Sequence, residues 1–186
     1  MKNRVEKVPT IRTHDTAESV PAVFLRTVPP RTDAKAFMRQ YAHRTGMMYC
    51  GDWPVLCFSS QDALTQFLRD ASPCFIVNEG YGTNPALFEV ASRFDKAFFE
   101  ENRLAVFYIK ATSGSVKYAV SALHKTETDV YILLKCGTPV IGTCDIAHWI
   151  AFVAVPRQIA GTGALVGIQF LSGPSLGIRR ITKLTP

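Results

Sequence analysis

Two of the four apolar runs between residues 94 and 155 are apolar on both of their alternating faces, which most constrains the fold. Residues 104–109 (Leu-Ala-Val-Phe-Tyr-Ile) offer almost no polar side chain. Residues 146–155 separate into Ile146, His148, Ile150 and Phe152 on one side and Ala147, Trp149, Ala151, Val153 and Val155 on the other. Successive side chains of a strand point to opposite faces, so both runs read as strands buried on two sides. The runs between them differ: Val116, Tyr118 and Val120 alternate with Lys117, Ala119 and Ser121 up to Leu123, and residues 130–134 follow a reversal at 126–129. Short connections of this kind join antiparallel neighbours, whereas parallel neighbours need a crossover of a dozen or more residues. The pattern therefore predicts an α+β fold: an antiparallel β-meander of about four to six strands packed against two or three helices.

Upstream the pattern alternates between strand and helix. Residues 22–28 are β-branched and aromatic and stop at Pro29-Pro30; a helix follows, capped by Thr32, carrying Phe37, Met38 and Tyr41, and closed by Gly46. Residues 54–58 read as a strand, with Ser59 and Asp62 as a capping box for a helix bearing Leu64, Phe67 and Leu68. A strand at 74–77 comes next. The clearest helical period spans 85–102, where Leu87, Val90, Ala91, Phe94, Ala97 and Phe98 recur at three- and four-residue steps. A last strand is expected at 164–171. The domain organisation is a basic, unstructured arm (1–20), one α+β domain (21–172, with strand–helix units at 21–83, a helix at 85–102 and the sheet at 104–155) and a basic tail (173–186).

The 186 residues carry a net charge of +6, with 9 Lys/Arg against 4 Asp/Glu in residues 1–45, 8 against 11 in 46–156, and 4 against none in 157–186. The excess sits at the two ends rather than on one folded element, so a specific nucleic-acid site is not expected. Weak binding of nucleic acid or an anionic surface through the basic termini is one alternative. No run approaches the roughly 18 apolar residues of a membrane span. The opening residues have the charge of a secretory n-region, but no apolar stretch follows it, so no export signal is expected in the chain as written. The five cysteines (Cys50, Cys57, Cys74, Cys136, Cys144) have neither disulfide-framework nor zinc-site spacing and read as reduced, partly buried thiols.

The block 94–155 resembles a group of uncharacterised bacterial proteins, mostly exported lipoproteins. The matching residues are Phe94-Asp95-Lys96-Ala97-Phe98-Phe99-Glu100-Glu101-Asn102, Ser113-Gly114-Ser115-Val116-Lys117-Tyr118, Pro139, Gly142-Thr143, Asp145-Ile146-Ala147 and Trp149. More distantly, the sheet is similar to the small β-domain of PrcB-type accessory subunits of bacterial surface protease complexes. The resemblance implies an α+β fold and a non-catalytic role at the cell envelope, with the cytoplasm as the alternative compartment. It transfers no active-site residue.

Candidate chemistry gathers at two loops. Ser113-Gly114-Ser115 and Gly142-Thr143-Cys144-Asp145 combine glycine with small hydroxyl residues, which leaves backbone amides accessible to a carbonyl or an anion. With Trp149 as a contact anchor, Ser113, Gly114, Ser115, Thr143 and Trp149 form the expected binding set. A catalytic alternative joins Cys144, Asp145 and His148 as thiol, orienting carboxylate and base of a hydrolase or transferase. The plainer reading is a loop thiol and an interior imidazole. Cys136, Cys144 and His148 lack a fourth metal ligand, and Gly80-Tyr81-Gly82 lacks the third glycine of a dinucleotide loop, so neither a metal nor a cofactor is expected. The sequence thus reads as a non-catalytic binding or accessory module for a protein or peptide partner.

Overall fold

The computed structural model describes residues 20–27, 34–45, 55–72, 74–75, 87–111, 113–125, 129–137, 145–160 and 165–171. Its centre is a four-stranded antiparallel sheet made of β1 (Ala22–Thr27), β2 (Val55–Phe58), β3 (Asn102–Ala111) and β6 (Ala147–Pro156), in the order β1-β6-β3-β2. The two doubly apolar runs are the two inner strands. They pair along their full length, from Asn102 opposite Pro156 to Ala111 opposite Ala147.

Each face of this sheet is covered by a different layer. Leu104, Val106, Tyr108, Ile150 and Phe152 face α1 (Ala34–Thr45), α2 (Gln61–Ala71), α3 (Leu87–Ala91) and α4 (Lys96–Glu101) in one hydrophobic core. Ala105, Phe107, Ile109, Ala151, Val153 and Val155 face a second sheet in another core, through Val130, Ile132 and Leu134. That second sheet holds β4 (Lys117–Lys125), β5 (Asp129–Gly137) and β7 (Leu165–Leu171), in the order β4-β5-β7. The molecule is therefore α+β in three layers: helices, central sheet, small sheet. Six strands pair antiparallel, and β7 joins β5 in parallel after the short helix α5 (Arg157–Ala160).

The strand order departs from a consecutive meander. Only β4 and β5 pair with their neighbour in sequence within that stretch; β3 pairs with β6, and the hairpin between them sits one layer away. The physical reason lies in the faces. A strand that is apolar on both sides needs a layer on each side, and β4 and β5, each apolar on one side only, supply it. The short 113–116 link, closed by Val116 N–H donating to Ser113 C=O at 3.3 Å, is thus a corner between sheets rather than a hairpin within one. A β-bulge at Ser121 shifts the β4 register between Val120 and Ala122, so that Tyr118, Val120 and Leu123 all reach the core although they are not spaced by twos.

The helix expected over 85–102 is broken in two. The turn after α3 closes with Arg93 N–H on Val90 C=O (3.2 Å) and Phe94 N–H on Ala91 C=O (3.0 Å), and α4 restarts with Asp95 as N-cap, its Oδ1 accepting from Phe98 N–H at 2.8 Å. Aspartate favours the cap because its carboxylate satisfies an amide with no intrahelical partner, a contribution of about 1 kcal/mol. The break turns Phe99 inward alongside Leu87, Val90 and Phe94, while Ala97 is exposed and Phe98 only half-buried. Two smaller shifts occur. The cap of α2 is Ser60, accepting from Ala63 N–H, rather than Ser59; and Cys74 and Phe75 are buried but not in a strand. Arg157 ties the layers together, donating from Nε to Phe99 C=O and from Nη2 to Ser59 C=O, both at 3.0 Å. The 1–19 arm, the tail from 172, Thr32, Gly46, the Gly80 loop and residues 76–77 lie outside the described residues.

Candidate binding site at one end of the central sheet

The end of the central sheet where β1 and β3 finish and β6 begins collects most of the residues singled out from the sequence. The corner after β3 brings Gly114 against Asp145, immediately ahead of β6. Gly114 N–H donates to Asp145 Oδ1 at 3.1 Å, and Arg26 Nη2, from β1, donates to Asp145 Oδ2 at 2.8 Å. One carboxylate therefore fastens three chain segments that are far apart in sequence. A Cβ at residue 114 would run into Asp145 Oδ2 and Arg26 Nη2, so a larger residue there must displace the ends of both side chains. Within the loop, Ser115 N–H donates to Ser113 Oγ at 3.2 Å, which stiffens the corner from inside.

Beside this clamp runs an aromatic seam between the two sheets. Phe24 of β1 stacks on Tyr118 of β4 with ring centroids 6.3 Å apart, and Tyr118 meets Trp149 edge-on at 6.2 Å. All three rings are half-buried, and Trp149 shares a small cluster with Ala111, Val116, Ala147 and Cys136. Burial first, then the neighbouring Cys136, pushes the Tyr118 hydroxyl up to about 12, so it stays protonated and able to donate. Among the described residues the buried indole Nε1 of Trp149 has no hydrogen-bond partner.

His148 turns the other way. Strand alternation sends it to the helix-facing side, where it is 9% exposed and shares a hydrogen bond between its Nδ1 and the Tyr108 hydroxyl. The two rings lie nearly parallel, 20° apart, with centroids at 5.8 Å. Asp145, the proposed orienting carboxylate of the catalytic alternative, is committed instead to Gly114 and Arg26. Thr143 and Cys144 lie outside the described residues. Of the other thiols, Cys74 is buried and Cys57 and Cys136 are half-buried; burial raises Cys57, against the lowering influence of Arg103, and keeps it in the thiol form at neutral pH. Among the described residues no group of three or more His, Cys, Asp or Glu is arranged to hold a metal ion, and no helix is long and apolar enough to cross a membrane. An open cleft of about 310 Å³ between the starts of α2 and α4, lined by Ser60, Asp62, Lys96, Phe99 and Glu100 among others, carries mixed charge and lies apart from both singled-out loops.

Of the expected set Ser113, Gly114, Ser115, Thr143 and Trp149, all but Thr143, which lies outside the described residues, are thus brought to one end of the fold. The sequence reading missed Arg26 and Tyr108. A signal for Arg26 was present, since it is the one charge inside the otherwise apolar run 22–28. Tyr108 gave none, because a tyrosine in an apolar strand looks like core until its hydroxyl finds a partner. No protein family, curated protein or solved structure matches the chain.

Proposed function

We propose that the chain is a non-catalytic binding or accessory module that recognises an extended segment of a protein partner at this end of the central sheet. The observation that carries the reading is the half-exposed seam Phe24–Tyr118–Trp149 beside a corner loop that Asp145 and Arg26 hold rigid. Aromatic side chains that lose little freedom on contact, next to a pre-set loop on a rigid scaffold, are what peptide recognition favours. The engagement of Asp145 and His148 with separate partners on different sides weighs against the Cys/His hydrolase. The likeness of residues 94–155 to exported lipoproteins and PrcB-type subunits supports a place at the cell envelope and a role beside another protein.

Selection of random extended peptides against the intact chain tests this. Enriched peptides are expected to lose at least about tenfold in affinity on Tyr118→Ala, the order of one anchor residue, with circular dichroism confirming that the variant is folded. A selection that enriches nothing, or peptides indifferent to Tyr118→Ala, refutes the reading.

A further inference from the structure

The polar row across the helix-facing side of the same sheet end is unused by the recognition surface. Thr27 of β1 and Lys110 of β3 lie directly opposite His148 in register, one on each flank. Thr27 is 3% exposed and, among the described residues, its Oγ1 has no hydrogen-bond partner, whereas Lys110 on the other flank is exposed, so the row runs from a buried, unsatisfied end to an open, charged one. The charged and titratable groups described around the imidazole are Tyr108 and Lys110, both from β3. β1 contributes only the uncharged Thr27, Phe75 packs on Tyr108, and Asp145 is taken up by Arg26 and Gly114. A neutral imidazole suits this niche, because in either tautomer Nδ1 and the Tyr108 hydroxyl share one hydrogen bond. An imidazolium would make Nδ1 a donor, obliging the Tyr108 hydroxyl to turn its own proton away and accept, and would set a second positive charge beside Lys110 with no described carboxylate to offset it.

We propose that His148 is a proton-sensitive latch on the start of β6: neutral, it holds the strand against β3 and β1, and protonated, it releases the strand end that carries Asp145 and Trp149. Because Asp145 anchors the 113–115 corner and Trp149 floors the aromatic seam, one proton reaches the whole sheet end. That the latch governs recognition rests on the binding reading above; that the latch exists does not.

The sign follows from the burial of His148 and the nearness of Lys110, which hold its pKa below the ordinary 6.5. Between 6.5 and that lower value the opened strand end binds a proton that the closed one does not, so closure is complete above 6.5 and weakens as pH falls. The test is ligand-free amide exchange by NMR on the full chain, corrected for the intrinsic rate, together with the imidazole titration of His148. Protection of the Gly114 and Ala147 amides is expected to fall by up to about tenfold per pH unit below 6.5, with His148 titrating below 6.5. In His148→Gln the local pH dependence should vanish. Titration of His148 at or above 6.5, or protection that stays constant with pH in the unmodified protein, overturns the latch even if the variant fails to fold. Loss of peptide binding without these changes would not rescue it.

Discussion

Phe107→Ala is expected to lower the unfolding free energy by about 3–5 kcal/mol, the largest effect of any single truncation considered. Phe107 has no exposed surface and projects from the inner strand β3 into the core between the sheets, where Val130, Ile132 and Leu134 of the small sheet close over it. Its strand neighbours in register, Val55 and Ala151, are smaller and cannot fill the space a lost ring would leave. Domains are typically stable by about 5–15 kcal/mol, so the variant forfeits a large share of the total. A chain of this size loses about 2–4 °C of melting temperature per kcal/mol. Phe88→Ala serves as the control. Phe88 is 47% exposed on α3, and its loss is expected to stay within about 0.5 kcal/mol. Thermal melts that show the two variants equally mild would mean that no second layer covers that face of β3.

The second large effect falls on the clamp. Gly114→Val forces Asp145 and Arg26 off the corner, because the first added carbon would overlap both side chains. Both have flexible ends and can swing away, so the expected cost is the lost charge-assisted hydrogen bond and a partly exposed ion pair, about 1–2 kcal/mol. The diagnostic is non-additivity. With Gly114→Val in place, Asp145→Ala has little left to remove, so the double variant should cost about the same as either single one. Chemical denaturation of the four-member cycle reads this directly. Fully additive costs would show that Gly114 and Asp145 act independently.

Much of this architecture was legible in the residues, and the exceptions are instructive. The strands were found because a short apolar run is a local property: Val55 to Phe58, Leu104 to Ile109 and the 146–155 run carry it on their own side chains. That β3 and β6 are doubly buried could also be read. Which strands lie beside them could not, because a short connection such as 113–116 fits both a hairpin and a corner between sheets, and only the demand for two covering layers decides. The split of the 85–102 helix was hidden for a related reason. Asp95 sits inside a good apolar period, and its preference for capping wins only once Phe99 has a cavity to enter. At the candidate site, Gly114, Asp145 and Trp149 stood out by composition. Arg26, 119 residues from Asp145 along the chain, comes to it only through the pairing of β1 with β6.

Everything said of the binding end depends on β3 lying directly against β6, since that pairing is what sets the 113–115 corner beside Asp145. Cross-strand proton contacts in a nuclear Overhauser spectrum test it most directly. The fold predicts contacts linking β3 to β6 in the register that places Ala105 opposite Val153 and Ile109 opposite Trp149, with the Gly114 amide close to the Asp145 side chain. A ladder of contacts joining β3 to β4 instead would contradict it.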